Sequence, residues 1–178
     1  IPEKHDEVLV DDNYKIENAG FVLCWPFLKN MFGQLDYLAE SGEFKSAYEQ
    51  SLAVRLLQYA ATGDSDQPEY NMTLNKLLCG YPLVEPLERT QQVSDQEKKM
   101  ADSMLEGLIA NWAKLGNTSI EGLRNTFLNR SGSLSSEESN WTLRVEKNGM
   151  DVLLDFLPWT ITNVKTPWLE GMLFVEWR

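Results

Sequence analysis

The sequence predicts an α+β fold: a mostly helical first three-quarters, then a small antiparallel β-sheet packed on the helices. Up to about residue 130, apolar residues recur at spacings of three and four, as they do on one face of a helix. After residue 140 they alternate with polar residues, as in a half-buried strand. The 178 residues, 43% of them hydrophobic, suit one domain with a real core. We therefore predict a polar, acidic lead-in arm over residues 1–18 and a single globular domain over 19–178, with helices over about 26–130 and a β region over about 140–178.

Three helices are predicted before residue 81. The first covers residues 26–31, because the fixed φ of Pro26 suits the first turn of a helix. The second covers residues 43–61 and is followed by a polar loop. The third covers residues 68–79, and Gly80 supplies the stop after it. One apolar stripe is predicted along the second helix, formed by Tyr48, Leu52, Leu56 and Tyr59.

Two capping boxes predict where the next helices begin. In Ser94-Asp-Gln-Glu97 the serine hydroxyl can accept a backbone N–H, and the glutamate can reach back to the backbone N–H of the cap. The helix behind it is predicted to end at Gly116. The segment from Thr118 to Glu121 has the same pattern and starts another helix at once. Such a short connection predicts a sharp corner between the two helices.

The β region begins after a predicted polar loop over residues 131–139. Trp141, Leu143 and Val145 alternate with polar residues and predict a strand. The step from Asn148 to Gly149 is a strong hairpin signal, so a returning strand is expected after it. Residues 150–156 fit a short helix as an alternative. A last strand is predicted over residues 173–177.

Charge and composition exclude several function classes. The chain has 16 Lys and Arg against 27 Asp and Glu, a net charge of −11, which repels both nucleic acids and anionic lipid surfaces. The longest apolar run, residues 21–28, is far shorter than the roughly 20 residues of a membrane span. The first residues lack the pattern of a signal peptide. We therefore predict no nucleic-acid partner and no membrane partner.

No common catalytic or cofactor motif is present in the sequence. The single histidine, His5, lies in the polar lead-in, and a zinc site would need more Cys and His residues than the chain offers. Cys24 and Cys79 sit in apolar stretches and are predicted to be buried free thiols. We predict a protein that is not an enzyme and that binds no cofactor and no metal. An acid-pair hydrolase stays an alternative, because carboxylates cluster near the end of the chain at Asp151, Asp155, Glu170 and Glu176.

Proline–tryptophan steps are the most unusual feature of the sequence. Pro158-Trp159 and Pro167-Trp168 lie nine residues apart. Proline fixes the backbone and tryptophan supplies a large apolar area, so the four residues are a candidate partner-docking surface. The competing interpretation is that these tryptophans close the core between sheet and helices. A third possibility is a free-standing binding module for a sugar or peptide lined by Trp159 and Trp168.

The order and spacing of nine segments resemble the tape measure proteins of contractile injection systems, the phage-tail-like particles of bacteria. The resemblance runs from about residue 17 to the end of the chain. Its longest segments read ENAGFVLCWPFL and WAKLGNTSIEGLR. The nine segments are residues 17–28, 56–63, 74–80, 112–124, 127–130, 151–155, 157–159, 167–168 and 175–177.

The resemblance implies a structural, non-enzymatic protein of the particle. Its expected partners are the inner tube, baseplate or spike, and cap subunits, with several copies per particle. It is expected in the bacterial cytoplasm during assembly and inside the particle afterwards, where it helps set tube length. A fully helical chain of 178 residues would reach only about 270 Å. We therefore expect a globular docking domain of a longer protein or a short family member. A lytic effector carried by such a particle is the enzymatic alternative.

Overall fold

The computed structural model describes residues 13–177, and these confirm the α+β class with the helices mostly N-terminal and the sheet largely C-terminal. The α-helices are α1 (Trp25–Gln34), α2 (Ala47–Thr62), α3 (Thr73–Leu78), α4 (Asp95–Asn111) and α5 (Ile120–Leu123), which continues as a π-helical turn, Arg124–Leu128. The 3₁₀ helices are Ala19–Cys24, Glu69–Asn71, Ala113–Leu115 and Gly149–Phe156. The strands are β1 (Asn13–Ile16), β2 (Gly132–Glu137), β3 (Asn140–Val145), β4 (Asn163–Val164) and β5 (Leu173–Glu176).

The five strands form one sheet in the order β1-β2-β3-β5-β4. The sheet is mixed where we predicted an antiparallel one, because β5 runs parallel to β3, with Trp141 opposite Leu173. A parallel pair needs a long crossover, and the 3₁₀ helix Gly149–Phe156 and β4 lie within it. The edge strand β1 comes from the predicted lead-in. The rest of that lead-in, residues 1–12, lies outside the described residues.

The hairpin predicted at Asn148 and Gly149 is wrong. The Asn148 side chain accepts the backbone N–H of Met150 at 2.8 Å, and the Asp151 carboxylate accepts the N–H of Asn148 at 3.0 Å. This capping box starts a 3₁₀ helix, as the alternative over residues 150–156 anticipated. The observed hairpin lies earlier, between β2 and β3, with a two-residue turn in which Glu138 has φ +58°. The predicted loop over 131–139 is therefore mostly strand.

The helix starts agree with the sequence at one capping box and shift by one residue at the other. Both hydrogen bonds of the box between Ser94 and Glu97 are formed. The next helix is capped by Ser119, whose hydroxyl accepts the N–H of Gly122 at 3.0 Å. Thr118, the cap we predicted, instead donates its hydroxyl to a preceding carbonyl. Either side chain can cap a helix, and the hydroxyl of Thr118 is already bonded to the carbonyl of Leu115.

The core lies between the helices and one face of the sheet. The apolar stripe predicted along α2 is only partly buried, because Tyr48 at its start is 53% exposed. Ala and polar residues complete the buried face instead, and Ser51 donates to Gln91 at 2.7 Å. Cys24 and Cys79 are buried free thiols, as predicted, and burial raises the pKa of both. Across residues 13–177, no helix has the length and apolar character needed to cross a membrane.

Candidate functional site: an aromatic groove beside Trp168

The predicted docking residues lie in two separate aromatic clusters. Trp168 is 8% exposed, and its ring contacts Phe32 and Phe44, with centroids 5.6 and 5.2 Å away. Its indole N–H donates to the carbonyl of Leu78 at 2.7 Å. This packing matches the core-closing interpretation of Trp168. A docking role for the four residues stays a prediction.

Trp159 is half-buried and lies in the second aromatic cluster, with Phe27 and Trp112. Its ring packs edge-on with the rings of Phe27 and Trp112, with ring centroids 5.0 and 6.4 Å away. Its indole N–H donates to the carbonyl of Leu23 at 3.0 Å. Pro158 and Pro167, which precede the two tryptophans, are both exposed. The Pro–Trp steps thus place prolines at the surface and fasten tryptophans to the helical part.

A groove of about 600 Å³ runs past Trp168 and is the candidate functional site. We call it the aromatic groove. Its polar lining includes Gln50, which donates to the carbonyl of Cys79 at 2.8 Å, and the carboxylates of Glu43 and Glu170. Leu83 and Val84 form a loop on its rim, and Val84 is 88% exposed. Its aromatic lining consists of Tyr14, Phe44, Tyr81, Trp141 and Trp168.

Two glycines let backbone segments approach closely at this groove. A Cβ on Gly171 would lie 1.9 Å from the carbonyl oxygen of Ser139, so only glycine fits there. A Cβ on Gly80 would lie 2.4 Å from the carbonyl oxygen of Trp168, and Gly80 has φ +69°. A left-handed φ strains any other L-residue. Gly80 follows an apolar helical pattern, which predicts a helix stop, while Gly171 carries no local signal.

The start of β3 is fastened to the loop before β5. The N–H of Trp141 donates to the carbonyl of Met172 at 2.9 Å. The Asn140 side chain accepts the N–H of Met172 at 3.0 Å. These bonds hold the Trp141 ring beside Tyr14 of β1, with centroids 6.1 Å apart. The sheet therefore presents two adjacent rings to the groove.

Carboxylates surround the phenol of Tyr81. Burial raises the pKa of Tyr81 first, and the charges of Glu85, Glu88 and Glu69 raise it further. The phenol therefore stays protonated at neutral pH, and its hydroxyl donates to the carbonyl of Pro86 at 2.6 Å. Arg55 acts in the opposite direction, and the Lys76 ammonium lies 5.8 Å from the centre of the Tyr81 ring.

Comparison with protein families decides the identity of the chain. A family model of the contractile injection system tape measure proteins matches residues 2–177. The chain belongs to this family. Comparison with curated proteins and with solved structures found no match. The family is structural and not catalytic, and its members act with other proteins of the particle.

Asp151, one carboxylate of the hydrolase alternative, lies in a buried ion pair. This residue is 1% exposed, and its carboxylate oxygens lie 3.0 and 3.2 Å from the guanidinium of Arg130. The indole N–H of Trp177 donates to it at 3.1 Å. Glu176 forms an exposed ion pair with Arg144 at 3.0 Å. Asp151 is thus part of a structural ion pair in this tape measure protein.

The described part of the chain offers no cluster of metal-binding side chains. Between residues 13 and 177, no three His, Cys, Asp or Glu side chains come together as a metal site would require. The thiols of Cys24 and Cys79 are buried with raised pKa values, which disfavours the thiolate that metals need. The aromatic groove is the candidate site because five aromatic side chains converge on it.

The sequence drew attention to Trp141 and Trp168 but missed the other three rings of the groove. Tyr81 stands between Gly80 and Pro82, and this turn-forming setting was the available signal. Phe44 and Tyr14 lie in polar surroundings along the chain, without a periodic pattern. Their meeting depends on tertiary packing alone.

Proposed function

We propose that this chain is a structural assembly component of a contractile injection system that docks in, or at the end of, the inner tube and helps set its length. The observation that carries the proposal is the family match over residues 2–177. Its partners are the inner tube, baseplate or spike, and cap subunits, with several copies in each particle. It acts in the bacterial cytoplasm during assembly and stays inside the finished particle, without enzymatic activity.

The compact fold supports docking as the contribution of this domain. Its longest helix, α4 (Asp95–Asn111), extends only about 26 Å at 1.5 Å per residue. The hydrophobic residues of helices and sheet share one core. Such a domain is suited to hold one end of an assembly. Measuring along the tube would require an extended segment.

Deletion of this chain in a bacterium that makes the particles tests the proposal. We expect the purified particles to have inner tubes of altered or irregular length, or to fail to assemble, as seen by electron microscopy. Affinity purification of the tagged full-length protein should recover tube, baseplate or cap subunits by mass spectrometry. Unchanged tube length after deletion, together with no particle subunit in the purification, would reject the proposal.

A further inference from the structure

We infer that the aromatic groove binds a segment of a partner protein that carries a lysine or arginine side chain among apolar residues. This inference rests on the proposed assembly function, and it names the chemistry of the partner. Three properties of the groove carry it: its charge, its aromatic lining and its rigidity.

The charged residues that line the groove are acidic. Glu43 and Glu170 are both exposed, and no Lys, Arg or His of residues 13–177 lines the groove with them. Two lysines contact residues of the lining and already have partners. Lys76 is 6% exposed and pairs with Glu69 at 3.3 Å. The ammonium of Lys165 donates to backbone carbonyls of the segment 169–171. The charged side chains of the lining that a partner cation meets are therefore two glutamates. The Lys165 ammonium keeps its positive charge on the carbonyls of 169–171, so we expect the cation to approach from the side of Glu43.

The rings of the groove add an attraction for cations. Tyr14 and Trp141 form one pair of half-buried rings, and half-buried Phe44 packs on Trp168. A partner can reach these three rings, whereas Trp168 is only 8% exposed and forms the floor behind Phe44. An aromatic face attracts a lysine ammonium or an arginine guanidinium, and arginine stacks on it as well. The chain already contains this interaction, because the Lys76 ammonium lies 5.8 Å from the centre of the Tyr81 ring. The net charge of −11 strengthens the attraction of a basic segment at long range.

The rim of the groove is held in place before any partner arrives. The N–H of Leu87 donates to the Glu69 carboxylate at 2.9 Å, and the N–H of Glu88 donates to the Ser51 hydroxyl at 3.0 Å. These bonds fasten the loop that carries Val84 to the helical part. A preorganised rim lowers the entropic cost of binding. The exposed Val84 side chain supplies apolar contact for the residues that flank the cation.

Site-specific cross-linking in native particles tests the inference. A photoreactive amino acid replaces Val84 in the full-length protein, expressed in the bacterium that makes the particles. We expect capture of one segment of a particle subunit with a lysine or arginine beside the cross-linked atom. Capture should fall at least about tenfold in the double variant Glu43→Lys and Glu170→Lys, because like charges then face each other. Replacing the captured cation by glutamate should restore capture by this variant.

A control variant keeps the net charge change but leaves the groove intact. Glu106→Lys with Asp66→Lys changes two exposed acids outside the groove lining, and its capture should equal that of the unaltered protein. Circular dichroism of each purified variant verifies that it is folded. A captured segment without a cation, or equal capture by the groove variant, overturns the inference.

Failure of the inference can be told from failure of the proposed function. A second cross-linking position at Phe156, which is 54% exposed and outside the groove lining, serves this purpose. Capture of particle subunits there but not at Val84 overturns the groove assignment and leaves the assembly function standing. Capture at neither position, with tube length unchanged after deletion, overturns both.

Discussion

Replacing Asp151 by asparagine should destabilise the domain far more than its isosteric shape suggests. The carboxylate accepts from the N–H of Asn148 at 3.0 Å and from the indole of Trp177 at 3.1 Å, and it pairs with Arg130. Asparagine keeps one acceptor oxygen but turns an amide N–H₂ toward groups that are themselves donors. The guanidinium of Arg130, with its side chain 8% exposed, then lacks its counter-charge.

The expected magnitude follows from the burial of this ion pair. Breaking a buried pair by removing one partner costs about 3–5 kcal/mol. The whole stability of a domain is about 5–15 kcal/mol, so Asp151→Asn should remove a large fraction of it. With a urea slope of about 2 kcal/mol per M, the unfolding midpoint should fall by about 2 M. Urea titration followed by circular dichroism measures this shift.

A second ion pair of the sheet provides the matched control. Arg144 and Glu176 are 3.0 Å apart, as are the Arg130 and Asp151 atoms, but their side chains are 55% and 61% exposed. An exposed pair contributes about 0–1 kcal/mol, so Glu176→Gln should have little effect on the free energy of unfolding. Equal effects of the two substitutions would refute the argument that burial makes the Asp151 pair structural.

Three further predictions concern the fold. Gly171→Ala should strongly destabilise the domain, because its Cβ would lie 1.9 Å from the carbonyl oxygen of Ser139. Gly107→Ala in α4, where a Cβ meets nothing within 4 Å, should instead raise the free energy of unfolding by about 0.5–1 kcal/mol. Thermal unfolding of the two variants compares these effects. Ser94→Ala should lower the free energy of unfolding by about 1 kcal/mol through loss of the helix cap, measured by urea titration. Burial and a hydrogen bond to the Glu97 carboxylate raise the pKa of Tyr37, so on raising the pH this phenol ionises first in the unfolded chain. The stability that it contributes is full below about pH 10 and should fall above it. Urea titrations at several alkaline pH values should show a less steep fall in Tyr37→Phe.

Local signals predicted the helical part because they are repeated along the chain. The capping box at Ser94 is a local signal, and it agrees with the structure. The strand β2 is different, since its sequence GSLSSE has little strand propensity and a single buried apolar residue, Leu134. Pairing with β1 on one side and β3 on the other makes it a strand. Tertiary context overrides propensity there.

The step from Asn148 to Gly149 shows how one short motif can serve two structures. Both a hairpin turn and a helix cap use the asparagine side chain. The residue three positions after Asn148 decides between them, because Asp151 returns a hydrogen bond to the cap and reaches Arg130. That second contact spans 21 residues of sequence. Local sequence alone therefore cannot predict which of the two structures forms.

The candidate site was less predictable than the fold because its rings come from five separate segments of the chain. Tyr14 lies on β1, Phe44 before α2 and Tyr81 after α3. Trp141 is the second residue of β3, and Trp168 precedes β5. Each ring alone is an ordinary apolar residue. Their convergence depends on the sheet order and on the close approach at Gly171, neither of which leaves a local pattern.

The same convergence means that truncating the chain cannot remove the aromatic groove without also disrupting the fold. Trp159 and Trp168, from the C-terminal quarter, donate to the carbonyls of Leu23 and Leu78 in the helical part. The sheet likewise joins β1, at the start of the described residues, to β5 near their end through β2 and β3. Removing either part of the chain would expose core and dismantle the aromatic groove together. Charge reversal at Glu43 and Glu170 changes exposed side chains and leaves those bonds intact, so it tests the proposed docking while the domain stays folded.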